Sequence, residues 1–409
     1  MLDWISRFNI CCFLDSHQYL LPGNTRECIA AAGSISCTHA RYNFIKDTGT
    51  FVNSHSDWIF GHLAYDLKNE IEEGFQSSHP ERIGFPDAFF FVPEYVLILD
   101  QTSVNIGSTH DDHGNVFEEI LHVTRQNINR NNFQVLERLS REEYLSTIEK
   151  LKEHILRGDC YEINFCQEFY AQQAIIDPVA VYRDLSAISP NPFSAFYRNG
   201  ERYVVCASPE RFLKKTGRRI MSQPIKGTAP RDIENQNNDR RYGKELSTSE
   251  KDRSENVMIV DLVRNDLSKV CVEGSVKVDE LFGVYAFPQV HQMISTVSGE
   301  LREGVEFEDI IRASFPMGSM TGAPKKKVME LIERYECSRR GIFSGAIGYV
   351  DPEKDFDFNV VIRSIMYNNH EQYLSFLAGS GITFYSDPKK EYDECHWKAS
   401  AIKKVLGAE

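Results

Sequence analysis

Residues 342–405 read IFSGAIGYVDPEKDFDFNVVIRSIMYNNHEQYLSFLAGSGITFYSDPKKEYDECHWKASAIKKV. Apolar, β-branched and aromatic residues dominate 342–350, 358–367 and 373–385, with Asp-Pro and Asn-Asn turn signals between them. That pattern predicts three strands. Asp387-Pro388 then opens a helix running to about Val405, with Asp as cap and Pro at the first helical position. The strands follow one another with no helix between them, so a βαβ rhythm is absent and the sheet is predicted to be antiparallel.

The preceding sequence carries the same mixture. A helix is predicted from Pro324 through Val328, Leu331 and Tyr335, a strand over 284–300, and a long helix from about Ser249 to Asn265. Residues 229–250 are rich in Asn, Asp and Arg and read as a mobile loop. Asn199-Gly200 between SAFYR and ERYVVCAS signals a hairpin. Ser140 and Glu143 form a capping box ahead of Tyr144, Ile148, Leu151 and Ile155, and Gly158 ends that helix. A further helix opens at Asp177-Pro178 and carries Val181, Leu185 and Ile188. Residues 1–135 mix short apolar runs with turns, as in the strand and turn at Trp58 to Leu67, and read as a β-rich N-terminal region. Residues 140–406 read as a second, more clearly patterned unit. The fold class is α+β, with large, mostly antiparallel sheet and surrounding helices.

The chain has 409 residues, with 46 Lys+Arg against 59 Asp+Glu, a net charge of −13. The 42% apolar and 26% charged shares are those of a globular protein rather than a disordered one. The negative balance and the lack of a basic stripe argue against nucleic acid. The most apolar stretch, Ala88 to Leu99, holds Pro93 and Glu94 and is far short of the ~20 residues that span a bilayer. Asp3 and Arg7 near the start, with no apolar h-region, give no secretory signal. Ten cysteines without a CxxC pair read as reduced, mostly buried thiols of a cytoplasmic protein, with no zinc site at Cys160 and Cys166.

Three features break the local rules. On the last helix the stripe of Ile402 and Val405 extends backward through Lys398, Glu394 and Glu391. On the 249–265 helix Ile259 and Leu262 extend backward to Glu255 and Asp252. Each alone reads as a helix whose first turns meet solvent; together, two acidic helix faces suit a divalent cation such as Mg2+, which takes one or two carboxylates, waters and an anionic ligand. The third feature is the pair QPIKGTAPR (223–231) and MGSMTGAPK (317–325). Gly318 to Gly322 leads into a helix start, either a plain Gly turn or an anion site, and does not match a Walker loop. Lys226 is either a surface lysine or a desolvated nucleophile. Glu210, at the end of a strand, is either a loop carboxylate or a general acid kept protonated by apolar walls.

Taken together, the segments resemble the chorismate-utilising enzymes, which include anthranilate, aminodeoxychorismate, isochorismate and salicylate synthases. The matching segments are GDCYEINFCQ (158–167), SPERF (208–212), PIKGT (224–228), EKDRSENVMIVDLVRNDL (250–267), FPQVHQMIS (287–295), FPMGSMTGAPK (315–325), SGAIGYV (344–350), VIRS (361–364), AGSGI (378–382) and DPKKEYDECHWKA (387–399). PIKGT with GSMTGAPK resembles the aminodeoxychorismate synthase component I branch, since anthranilate-type members usually carry Ala where Lys226 stands. The water-using members carry a lysine base near Glu162; ammonia-using members more often have Gln there. The resemblance implies a two-sheet sandwich and Mg2+ on Glu255 and Glu394, with Asp252 and Glu391 nearby. It implies a grip on chorismate's carboxylates by Arg363, Lys398 and the backbone of Gly379 and Gly381. His291, Ser319, Gly227 and Thr228 would line the substrate, Glu210 would be the general acid, and Lys226 the group that attacks C2. No glutaminase nucleophile is visible, so the resemblance implies ammonia from a separate glutamine amidotransferase subunit. A small dianion carried on Mg2+ is compatible with the net charge of −13.

Overall fold

The computed structural model describes residues 1–19, 28–39, 42–100, 102–124, 130–287 and 290–408. Every strand pairing among them is antiparallel. The strands form two sheets, of 11 and 10 strands. Helices Arg141–Leu156, Pro178–Ile188 and Pro388–Val405 pack on the first sheet, and Phe44–Ser54 and Glu250–Ser268 on the second.

The first sheet is buried on both faces. Neighbouring residues point to opposite sides of a strand, and here Cys11, Ala30, Val205 and Tyr367 join one apolar cluster while Cys12, Ala31, Val204 and Met366 join the other. Strands of this kind read as continuous apolar runs. Phe165, Phe169 and Phe376 are fully buried toward the C-terminal helix, each worth about 1.5–3 kcal/mol relative to exposure. All ten cysteines are free and eight are buried. No described helix is long and apolar enough to cross a membrane.

The local helix signals hold. Ser140 Oγ accepts from Glu143 N and the Glu143 side chain accepts from Ser140 N. Asp177 and Asp387 cap their helices, each with Pro at the first position. Residues 1–135 supply strands to both sheets: Ile10–Asp15 pairs with Phe193–Asn199, and Ile59–Leu63 with Ala346–Val350.

Several elements differ from expectation. The 358–367 run is two strands, Phe356–Asn359 in the second sheet and Ser364–Asn368 in the first. The chain changes sheets at 360–363, where Arg363 takes φ +51. Ala88 to Leu99 divides in the same way at Pro93-Glu94, and Ser208 to Arg211 crosses at Pro209-Glu210. Proline cannot donate to a ladder, which favours a strand break at these points. The 284–300 segment is a hairpin of Lys277–Ala286 and Val290–Glu300. The expected mobile loop holds a helix, Gln236–Thr248, capped by Asn235 and anchored by buried Leu246. The hairpin register pairs Asn199 with Arg202, so the two loop residues are Gly200 and Glu201. Only Gly200 has positive φ (+62), which fits a type II′ rather than a type I′ turn.

Candidate active site

A cavity of about 480 Å³ opens where the two sheets part. The strand Tyr373–Ile382 pairs with Glu162–Ala171 along its length, but with Ser364–Asn368 only as far as Ser375. Beyond Ser375 its other edge faces the cavity and brings Gly379 and Gly381 to the lining. Glu210 and Arg363 sit on two of the crossings between sheets, which are joined by Val360 N donating to Glu210 O at 3.0 Å and Ala207 N donating to Arg363 O at 3.2 Å. Lys226 and Gly227 occupy a β-bulge between the pairs Ile225–Ile294 and Thr228–Gln292. Gly227 takes φ +93 there; a bulge of this kind re-aims a side chain. The Glu250–Ser268 helix adds Asp252 and Glu255, and the Pro388–Val405 helix adds Glu394 and Lys398. Ser319 comes from the short turn Gly318–Met320.

Twelve of the fourteen residues singled out in the sequence therefore line one cavity: Glu210, Lys226, Gly227, Thr228, Asp252, Glu255, Ser319, Arg363, Gly379, Gly381, Glu394 and Lys398. Two do not. His291 is turned away; its Nε2 lies 3.0 Å from Asp239 Oδ1 on the helix that replaced the expected loop. Glu391 is 2% exposed and is not among the lining residues, although Ala399 and Ile402 on the same buried stripe of its helix are. Glu394 and Lys398 lie beside that stripe and face the cavity. The helix start after Gly322 also stays out of the lining: Gly322-Ala323 pairs with Ile163 and Glu162, and Lys325 Nζ reaches Asp266 at 2.5 Å. The anion-site reading of 318–322 is thus not met at the helix start.

The electrostatics sort the groups. Burial pushes the Glu210 carboxyl up to about 7 against the opposing pull of Ser319, Lys226 and Arg363. Burial likewise pushes Glu255 up to about 7. Burial lowers the Arg363 guanidinium to about 10, and its side chain makes no hydrogen bond or ion pair among the described residues. It is an unpaired cation facing the cavity. Lys398 Nζ donates to Gly379 O at 2.9 Å and pairs with Glu394 at 2.8 Å. Burial opposes ionisation of Glu394, yet Lys398 outweighs it and holds that carboxyl below its usual value. Burial also pulls Lys226 down, but Glu162 and Glu255 outweigh it and hold its ammonium above the usual lysine range.

The donor set suits a hard cation. Glu255 Oε1 and Glu391 Oε2 are buried without a hydrogen-bond partner. The Lys251 ammonium lies between these side chains, 3.8 Å from Glu255 and 3.7 Å from Glu391. No three His, Cys, Asp or Glu side chains are gathered at ligand spacing among the described residues. Two oxygen donors left unpaired beside a cavity that also holds Arg363 and Lys398 fit Mg2+, which takes few protein carboxylates and fills its shell from water and ligand.

Three participants gave no local sequence signal. Lys251 is one exposed charge on the first turn of a polar helix start. Arg340 is buried against Glu336 and donates to Met320 O at 2.7 Å and Asn164 O at 2.9 Å, so it fixes the cavity floor. Glu162 meets Lys226 at 2.5 Å across 64 residues of sequence.

The family model described as chorismate binding enzyme matches residues 17–404. The chain belongs to the chorismate-binding enzyme family. This family member is 40% identical over 268 residues to aminodeoxychorismate synthase component 1 of Escherichia coli, covering 66% of this chain and 58% of that protein. It is 33% identical over 388 residues to a probable chloroplastic aminodeoxychorismate synthase of rice, covering 85% of this chain and 43% of that one. The chain thus spans about half the length of the curated relatives it matches. Its fold is that of anthranilate synthase component I from Streptococcus pneumoniae, with a TM-score of 0.81, 24% identity, and coverage of 96% and 95% of the two chains.

Proposed function

We propose that this family member is an aminodeoxychorismate synthase component I, a cytoplasmic enzyme. It exchanges the C4 hydroxyl of chorismate for an amino group and releases 4-amino-4-deoxychorismate, with ammonia supplied by a separate glutamine amidotransferase subunit. The observation that carries this reading is Lys226, buried in a bulge and aimed into the same cavity as Glu210. The aminodeoxychorismate synthases among its relatives support it.

The chemistry follows from what each residue offers. Arg363 and Lys398 hold the substrate carboxylates through charge-assisted hydrogen bonds. The Lys226 amine attacks C2, the ring electrons shift, and the C4–O bond breaks. Glu210 donates its proton so that the hydroxyl leaves as water. Ammonia then adds at C4, the electrons shift back, and the C2–N bond to Lys226 breaks. The C4 ammonium returns a proton to Glu210, so one ammonia is consumed and one water released. Glu255 and Glu394, with Asp252 and Glu391 behind them, would hold a Mg2+ that neutralises a substrate carboxylate.

The test is direct. Chorismate, Mg2+ and ammonium are incubated with the protein at mildly alkaline pH, and an aminodeoxychorismate lyase is then added. 4-Aminobenzoate is the expected product. Anthranilate and pyruvate without added lyase would instead identify an anthranilate synthase, and no amination of chorismate would end the proposal. In the same assay Arg363→Gln is expected to raise the KM for chorismate about 10- to 100-fold, the loss of one or two hydrogen bonds to a charged group; an unchanged KM would remove Arg363 from the carboxylate grip.

A further inference from the structure

Lys226 cannot attack carbon as an ammonium, because its lone pair is occupied by a proton. Its side chain has one hydrogen-bond partner among the described residues, Glu162, with Nζ 2.5 Å from Oε1. Both are buried, with side chains 10% and 1% exposed. Glu210 cannot take the proton, since it must enter the reaction as an acid. Glu255 faces the cation site. We propose that Glu162 is the base that takes the Lys226 proton and returns it when the amine is released, a role that rests on the aminodeoxychorismate synthase reading above.

The geometry is built for this exchange. Glu162 is held on a strand paired on both sides, with Ala323 opposite Glu162 itself and Gly381 opposite Asn164. Its backbone is therefore fixed within its own sheet. Gly322 allows the close approach, since a Cβ there would lie 2.1 Å from Glu162 O. Gly381 leaves the pair its space, since a Cβ there would lie 2.8 Å from Glu162 Oε1 and 3.1 Å from Lys226 Nζ. Glu162 Oε2 is buried without a hydrogen-bond partner, so the contact its carboxylate makes here is the one to Lys226. Burial penalises both charges of an ion pair and narrows the gap to the neutral pair.

The steps balance. The proton passes from Lys226 Nζ to Glu162 Oε1, leaving an amine and a carboxylic acid. The amine forms the bond to C2 as the C4–O bond breaks, with the leaving proton drawn from Glu210. After ammonia adds at C4 and the C2–N bond breaks, the free amine recovers its proton from Glu162. A glutamine in this place can hydrogen-bond to Lys226 but cannot accept its proton, which must then go to bulk water.

The experiment uses the full chain and the ammonium-dependent assay. Glu162→Gln is compared with the parent at each pH from 6.5 to 9.5 under identical total ammonium. The expected result is a rate at least ~10-fold lower near pH 7.5, within the range attributed to general base catalysis. The ratio of variant to parent should climb by up to about tenfold per pH unit, as proton loss to water becomes easier, and level off as it approaches one. Because a ratio is read, the titration of Glu210 and of ammonia cancels. Glu162→Asp keeps a carboxylate and is expected to give a lower but pH-independent ratio, which also serves if Glu162→Gln does not fold. A pH-independent ratio near one for Glu162→Gln, or a climbing ratio for Glu162→Asp, would overturn the role of Glu162 and leave the reaction intact. A parent that forms no 4-amino-4-deoxychorismate would overturn the reading beneath it.

Discussion

Lys226→Ala is expected to lower the amination rate by on the order of 10³-fold or more while leaving Mg2+ binding in place. A nucleophile that opens the reaction has no substitute among its neighbours. Arg363 keeps its charge, Lys398 is paired with Glu394, and Lys325 is bound to Asp266 on the far side of the loop. Direct attack of ammonia at C4 would have to expel the hydroxyl without a prior bond at C2. The substitution also leaves Glu162 without its buried partner. Calorimetric Mg2+ titration and thermal unfolding of the variant separate loss of chemistry from loss of fold. A rate within tenfold of the parent would remove the covalent step.

Arg340→Met is expected to cost about 3–5 kcal/mol of stability, the usual result of removing one partner from a buried ion pair. Glu336 is 3% exposed and receives two guanidinium hydrogen bonds, at 2.9 and 2.5 Å. Without Arg340 its charge is left with Cys166 N as its remaining donor, at 2.9 Å. A buried carboxylate left with one neutral donor is the source of the deficit. The carbonyls of Met320 and Asn164 also lose their donor. Urea unfolding of the variant and the parent measures the loss. Adding Glu336→Leu should recover part of the loss, since an apolar pair of similar volume is often tolerated. A loss below about 1 kcal/mol would show that Glu336 finds another partner.

How far the sequence foretold this structure depended on how local each signal was. Caps, Gly stops and the absence of βαβ spacing act over a few residues, and they marked the helices and the antiparallel sheets. The division of 358–367 between two sheets left no local mark, because each half is apolar and each enters a sheet buried on both faces. The Gln236–Thr248 helix was hidden by its own composition; its helical state rests on the Asn235 cap and on Leu246 packing, not on propensity. Asp252, Glu255, Glu394 and Lys398 were recognisable because charges interrupted stripes that should be apolar, whereas Arg363, Gly379 and Gly381 were legible only through the family resemblance. His291 lies outside the cavity because its partner, Asp239, is on that hidden helix. The Glu162–Lys226 and Arg340–Met320 contacts bridge distant segments, and no periodicity reports them.

The two stitched crossings give the site an uneven mechanics. Glu210 and Arg363 are riveted to each other through the Val360–Glu210 and Ala207–Arg363 hydrogen bonds, so slippage of one sheet along the other carries both together. Glu162 and Lys226 ride on opposite plates, one in each sheet. Breathing of the sandwich therefore changes little at the leaving group and its carboxylate grip, and acts instead on the gap across which one proton must travel.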